Sequence, residues 1–504
     1  MKRRPGRKFV EKNYRFTFRA AGVFLIVLLF AVGIAVLVTR NNTGKTFANS
    51  DGISSAEVFP FVYTDANNVL KVANSEGKVT SVDNNVSDTI FDKDKDNIYY
   101  IKDKALYRYD IKNNSRKILV GNKVTGYKIL NDRSALIYSS SFGDLHIYNL
   151  INSEDDTFTE EGQNVDIDML VKTGRSGFLY FDSVSKNEGT GTLYSRTSGG
   201  KTYKIAENVV LGSADISKRD KFISYVSDGT LYISDFEGKA ITNTENAAVL
   251  TDIQQPTAVE EIKNESKFSE EIEFTFLVQG NKILFFNEEG YSTVCNNVNS
   301  VISYTGNNNR LIYTVKNDDD SLDVFMVLRD RKPEKITSVP AGTEFVWSES
   351  TTKLYCLHNR ELSEADVGEN NKITALSTGV SSVSIYPGKP FVVYSDTLKN
   401  DYYIIPGSQV AKVASGAERL YASSDQNFLL VNSYKAGGNK YNDLDFVKGD
   451  SMQKISSNIE RVVAFDNDLN CILYTENGEL LLRKNKDTIA IDSCEAVFAA
   501  EIKR

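Results

Sequence analysis

Apolar and polar positions alternate in short runs along most of this chain, and few stretches repeat every three or four residues. Residues 98–112 (IYYIKDKALYRYDIK) show the unit: an aromatic-rich run, a tight polar turn, a second run and a Lys-bearing exit. A period of two puts successive side chains on opposite faces, which is the pattern of a strand. The same phrase returns as SYVSDGTLYISDFEGK (224–239), LFFNEEGYSTV (284–294), KLYCLHNRELSEAD (353–366) and ILYTENGELLLRKN (472–485). Aligned on their anchors, the copies fall at Tyr63, Tyr100, Tyr138, Tyr180, Tyr225, Phe276, Tyr313, Tyr355, Tyr394, Val431 and Tyr474. The spacing is 37 to 45 residues, with one longer step of 51.

Each copy resolves into four short strands. Around Tyr313 they read SVISYTG (300–306), RLIYTVK (310–316), LDVFMVL (322–328) and PEKITSV (333–339), separated by Asn- and Asp-rich turns. Four strands in about 40 residues, repeated, predict an all-β chain of about eleven propeller blades. The ends extend the pattern. The first copy starts at its second strand (59–65), while the last is followed by a spare strand, EAVFAAEI (495–502). A C-terminal strand that completes the first blade would close the ring and cover an open edge. Eleven blades exceed the usual four to eight per ring. Two rings are therefore the expectation, with a break in the polar, acidic stretch 247–272.

The N-terminus changes the picture. Residues 1–19 carry eight basic side chains against Glu11 alone, and 20–38 follow without a charge. That run rises about 28 Å as a helix, roughly one bilayer core. The reading is a basic cytoplasmic tail (1–19), a transmembrane signal anchor (20–39), a polar tether (40–56) and an ectodomain (57–504) outside the plasma membrane. A cleaved signal peptide fits less well, because the run is longer than a usual signal core and no A-x-A-like site follows it. The tail is +7, so the rest of a −8 chain carries −15. An acidic ectodomain repels phosphate backbones, which excludes nucleic acid as a partner class.

Candidate chemistry is sparse. The two histidines, His146 and His358, lie on strands with no G-x-S-x-G nearby. Asp92, Asp94 and Asp96 are spaced like the first ligands of a calcium loop, but Asn97 stands where such loops need Gly and Asp103 where they need Glu. Together with Asp318, Asp319 and Asp320 they read as turn residues. Trp347, on a first-strand position, and Tyr402 are the candidates for stacking on a ligand. Tyr402 and Tyr403 must face opposite sides of one strand. Cys295, Cys356, Cys471 and Cys494 form no CxxC, and a strand between Cys471 and Cys494 keeps them beyond disulfide reach. No cofactor is signalled, and with 67 acidic residues no catalytic carboxylate pair stands out.

The phrases IYYIKDKALYRYDIK (98–112) and GTLYISDFEGKAI (229–241) resemble the Tyr-rich blades of bacterial membrane-anchored extracytoplasmic β-propellers. The YWTD, WD, kelch and TolB-type signatures are absent, and a single Trp argues against quinoprotein dehydrogenases. What the resemblance implies is a binding scaffold for a cell-envelope protein or polysaccharide. The alternatives are a propeller-type hydrolase or lyase acting on carbohydrate through channel-facing carboxylates, and an envelope sensor with a cytoplasmic partner.

Overall fold

The computed structural model describes residues 58–498, apart from 160–164, 218–219, 246, 250–255, 259–260, 263–274, 288–289, 306–309, 330, 368–371, 386–388, 390, 405–410, 416, 424, 437–438, 450, 467, 485 and 494–495. The tail, anchor and tether expected over 1–56 lie outside the described residues. Among the described residues no helix is long and apolar enough to cross a membrane.

The chain is all-β, built almost wholly of four-stranded antiparallel sheets. Among the described residues ten hydrogen-bonded sheets form, one of eight strands that divides into two halves joined where Val209 pairs Ser227. Counted this way there are eleven units, numbered here in chain order: 61–84, 87–120, 124–157, 171–210, 215–245, 247–295, 298–340, 344–378, 380–415, 419–456 and 459–493. Sheet 7 illustrates the regular case, with strands Val298–Thr305, Arg310–Lys316, Ser321–Leu328 and Glu334–Pro340, each within two residues of the expected bounds. Sheet 1 lacks a first strand of its own. That place is taken by Ala496–Phe498, which pairs Phe61–Thr64 with Val62 opposite Phe498.

The anchors sit on the second strand of each sheet, aromatic in all but sheet 10, where Val431 stands, and the partners of the aromatic ones explain the phrase. Tyr100 lies directly opposite Tyr107, Tyr180 opposite Tyr194, Tyr225 opposite Tyr232, Tyr313 opposite Phe325 and Tyr394 opposite Tyr402. Each pair stacks, with ring centroids 5.1–5.6 Å apart. Cross-strand aromatic pairs of this kind add about 0.5–1 kcal/mol beyond simple burial. Turns follow from Asp and Asn at strand ends. Asp65, Asn74, Asp235 and Asp396 each accept backbone N–H groups two and four residues on, substituting for a backbone turn.

Neighbouring sheets share their cores. Clusters of buried apolar side chains join sheets 1 and 2, 2 and 3, and so on to 10 and 11. A further cluster joins 11 to 1, with Phe61, Tyr63 and Ala73 against Leu473, Leu480 and Leu482. The stretch expected to be a break contributes instead Ala247–Val249, the first strand of sheet 6, and Thr257–Ala258, which pairs the first strand of sheet 7. Ala247 and Val249 pack with Phe222, Leu231, Leu277 and Phe286, so sheets 5 and 6 have a common core at that point.

Polar clasps repeat at the same junctions. Asp83, on the fourth strand of sheet 1, accepts the Tyr100 hydroxyl of sheet 2 (3.0 Å) and is flanked by Lys102 (2.5 Å) and Arg116 (2.6 Å). Cys295 of sheet 6 meets Tyr313 of sheet 7, and Ser456 of sheet 10 meets Tyr474 of sheet 11. Asp492 of sheet 11 completes the series, accepting the Tyr63 hydroxyl of sheet 1 (3.3 Å) and pairing with Lys71. The junction between the two chain ends is thus built like those inside the chain.

Candidate functional site

The polar side chains singled out from the sequence are mostly spent on these junctions. Asp92 is fully buried, and both its oxygens meet the Arg133 guanidinium at 3.3 Å. Asp94 meets the same guanidinium at 3.0 Å, while Asp96 ends the turn in a left-handed conformation. An arginine from the neighbouring sheet therefore supplies the positive charge that a calcium ion would bring. Among the described residues no group of three or more His, Cys, Asp or Glu could hold a metal.

Trp347 is 4% exposed in the core between sheets 7 and 8. Its indole N–H donates to Glu349 (2.7 Å), and the Arg310 guanidinium lies 5.1 Å over its ring. Tyr402 is half-buried, stacked on Tyr394, and packs toward sheet 8, whereas Tyr403 packs with Phe391 and Phe428 toward sheet 10. The opposite-face expectation holds, and the two stacking candidates belong to separate clusters. Cys356 is buried, Cys295 and Cys471 partly so, and all three are free thiols. The third strand of sheet 11 lies between those that carry or precede Cys471 and Cys494, as the spacing requires, but Cys494 is outside the described residues.

His146 is buried and stacked on Tyr138 (4.6 Å). Its Nε2 lies 2.7 Å from Asp144 and its Nδ1 3.0 Å from the Thr157 hydroxyl. Ser140 donates to the other oxygen of Asp144. The order is serine, carboxylate, histidine. A nucleophile needs the imidazole next to the hydroxyl, with the carboxylate behind, so this line orients a turn and does not activate Ser140. Burial works against the charge on Asp144, but hydrogen bonds from Ser140, its own backbone and His146 outweigh it and hold the carboxyl below its ordinary range.

What sequence reasoning missed is a cleft of about 690 Å³ beside Ser140. It runs across the first strands of sheets 2 and 3 and the short helix Ile167–Leu170 that leads into sheet 4, and its walls include Asp88, Thr89, Thr125, Ser139, Asp166 and Asp168. Local irregularities build it. The pairing slips between Ser87 and Ile90, and again between Val124 and Gly126, and such bulges re-aim side chains. Thr125, freed by the second bulge, shares a 2.8 Å hydrogen bond with Ser139. Gly126 lets the helix sit close, since a Cβ there would stand 3.0 Å from Ile167 Cγ2. The Tyr127 hydroxyl donates to the Asp88 carbonyl (2.6 Å), pinning one wall.

The cleft is acidic. Lys128 pairs with Asp168 at 3.0 Å, while no ion pair to Asp88 or Asp166 occurs among the described residues. Asp88 reaches water, yet the concave wall desolvates it and the charges of Asp166 and Asp168 add repulsion, so its carboxyl is pushed above the ordinary value. Thr89 is 7% exposed, and its hydroxyl has no hydrogen-bond partner among the described residues. The only sequence signal was a pair of acids two positions apart, Asp166 and Asp168, in an acid-rich chain.

No protein-family model matches the chain, and no curated protein matches it. Among solved structures, a crystal structure of the eukaryotic initiation factor aligns over 88% of this chain and 98% of its own, at TM-score 0.40 and 8% identity. The tricorn protease aligns over 77% of this chain and 46% of its own (TM-score 0.25, 14% identity), and a chain of the mitotic checkpoint complex over 55% and 83% (TM-score 0.26, 15% identity). Superpositions this loose leave the fold to rest on the strand pairings themselves.

Proposed function

We propose that this chain is a membrane-anchored, extracytoplasmic β-propeller whose eleven blades follow one another in a single closed ring and that serves as a binding scaffold for a cell-envelope protein or polysaccharide. The observation that carries the reading is the repeat of one junction around the whole set of sheets, including the pairing of 496–498 with 61–64. In a ring of this kind the first strands face the axis, which puts the acidic cleft on the inner wall, where propellers take ligands. The anchor rests on the uncharged run 20–38 behind a +7 tail.

Two measurements on the full-length protein test this. A C-terminal epitope should be cut by external protease in spheroplasts while an N-terminal epitope is protected; the reverse pattern would sink the envelope placement. Cross-linking in intact cells should then capture a reproducible envelope component, whose binding is repeated with purified material. A rival reading has a specific support: a carboxyl raised by desolvation and by neighbouring charges, such as Asp88, suits acid catalysis on a glycan. Release of reducing ends from cell-wall polysaccharide, lost in Asp88→Asn, would favour that hydrolase.

A further inference from the structure

We infer that the projecting hairpin of sheet 10 takes up an extended, acidic segment of a partner protein as an added strand. Its second and third strands, Asn427–Ala436 and Asn439–Lys448, pair without a slip from Asn427 opposite Lys448 to Ala436 opposite Asn439. Their neighbours stop short. The first strand, Arg419–Ala422, reaches only Val431, and the fourth, Ser451–Ser456, pairs no further than Leu444. Residues 432–436 and 439–443 therefore stand as a two-stranded ribbon about 17 Å long, with no further strand on either edge among the described residues. Its base is braced. Ser433 donates to Asn442 (2.6 Å), Lys454 pairs with Asp443 (2.6 Å), and the Asn442 amide donates to the Ile459 carbonyl at the entry to sheet 11 (3.1 Å).

Other outer edges are blunted. The pairing of third and fourth strands slips in every sheet but sheet 3, whose fourth strand is three residues long with two aspartates. Bulges, short strands and charges of this kind keep an edge from recruiting other chains. Sheet 4 also has long second and third strands, but its fourth runs beside them as far as Val210. The ribbon of sheet 10 has no slip and no covering strand. On its inner edge the Val431 carbonyl accepts the Glu418 amide (2.9 Å). By the alternation of an antiparallel ladder, the backbone N–H and C=O groups of Ser433 and Lys435 turn to that same edge. The chain itself fills edges in this way, at 496–498 on sheet 1 and at 257–258 on the first strand of sheet 7.

Charge selects the occupant. Lys435 and Lys440 hold directly opposite positions, an unfavourable placing for like charges, and residues 434–441 (YKAGGNKY) include no acid. A second copy of the ribbon would bring more lysines, whereas a strand carrying carboxylates offsets them. A uronate or phosphate polymer would meet the lysines but offers no N–H donors at strand spacing for the outward carbonyls; a polypeptide does.

This deepens the binding-scaffold reading and rests on it. The test titrates the full-length protein in detergent, at about 150 mM salt to screen weak surface attraction. The probes are acetyl-Thr-Glu-Val-Glu-Val-Thr-amide, its lysine-for-glutamate counterpart, and the acidic peptide N-methylated at every amide. The acidic peptide should bind saturably, and charge reversal or N-methylation should each weaken it at least about tenfold. Lys435→Ala/Lys440→Ala should cost about tenfold, while Lys78→Ala/Lys112→Ala, at exposed lysines elsewhere, should cost nothing. Ser433→Pro removes one outward N–H and spares the ladder to the third strand, so it should weaken binding by a similar factor. If that variant unfolds at lower urea, the N-methylated peptide on the unaltered protein decides. No saturable binding, equal binding of the N-methylated peptide, equal loss in the lysine control, preference for an oligogalacturonate, or parent dimers that Ser433→Pro abolishes would each overturn the assignment. Any of these results with protease topology and envelope cross-links intact removes the ribbon assignment alone; failure of the topology and cross-links removes the scaffold reading itself.

Discussion

At the scale of single residues, the junction carboxylates carry the clearest expectation. Burial raises the cost of charging Asp83, but Lys102, the backbone, Tyr100 and Arg116 more than compensate and hold its carboxyl below the ordinary 3.8. A group whose folded pKa is depressed contributes stability above its unfolded value and loses it as pH falls through the folded value. Asp83→Asn should therefore cost about 1.5–3 kcal/mol in urea unfolding at pH 7, and the gap from the parent should close below pH 4. A gap that stays constant down to pH 3 would mean the ion pairs are not formed. Trp347 offers a second check, being the only tryptophan. Buried at 4% exposure, it should emit at short wavelength, resist iodide quenching and ignore added polysaccharide; a polysaccharide-dependent shift would restore it as a ligand platform. The sequence showed that Trp347 lies on a first strand, but not that Arg310, at the start of the second strand of sheet 7, and Glu349, in a turn of sheet 8, flank it. In the same way Asp92 and Asp94 had the spacing of ligands, and only the fold brings Arg133 to them from about 40 residues away. Long-range partners of this kind leave no periodic trace.

At the scale of elements, the phrase read from the chain was the hairpin of second and third strands, and its anchors proved to be cross-strand pairs. That much was legible because a strand, a tight turn and its partner are local, and the turn residues and period of two occur within fifteen positions. The first strands were harder to read. Those of sheets 2 and 3 are bulged, and bulges break the period that would announce them, which is why the cleft at Asp88 and Thr125 went unseen. The turns ahead of the second strands also lock neighbouring sheets. Asp220 of sheet 5 accepts the Arg175 and Ser176 amides of sheet 4 at 2.7 Å each, an approach open only because residue 174 has no side chain. A Cβ at Gly174 would stand 2.1 Å from Asp220 Oδ1. Gly174→Ala should cost about 1–3 kcal/mol by forcing the carboxylate off the turn. In an Asp220→Ala background the same change should cost much less, because the two effects share one contact. Additive losses in this double-mutant cycle would show that the clash is relieved elsewhere.

At the scale of the whole molecule, the question is whether the two ends of the chain make one object. The four-stranded repeat and its count were readable from Tyr63 to Tyr474, and so was the pairing of a spare last strand with an incomplete first sheet. The sharing of a core between sheets 5 and 6 was not, because the stretch 247–272 looks polar and, among the described residues, the part of it that enters sheet 6 is the short strand Ala247–Val249. The seam can be cut without touching any other junction. Deleting residues 494–504 removes the strand opposite Phe61–Thr64 and leaves an open edge on sheet 1. It also uncovers part of the cluster of Phe61, Tyr63 and Leu473, each fully buried apolar side chain of which contributes about 1.5–3 kcal/mol. If the ends close a ring, the loss spreads beyond sheet 1: the truncated protein should unfold at lower urea with a broadened transition and should aggregate through its exposed edge. Restoring the segment in trans as a peptide covering 490–504 should recover part of the lost stability by pairing with 61–64. A truncated protein as stable and as soluble as the parent, and indifferent to the peptide, would show that the C-terminal strand is an ornament on sheet 1 and that the sheets form an open array.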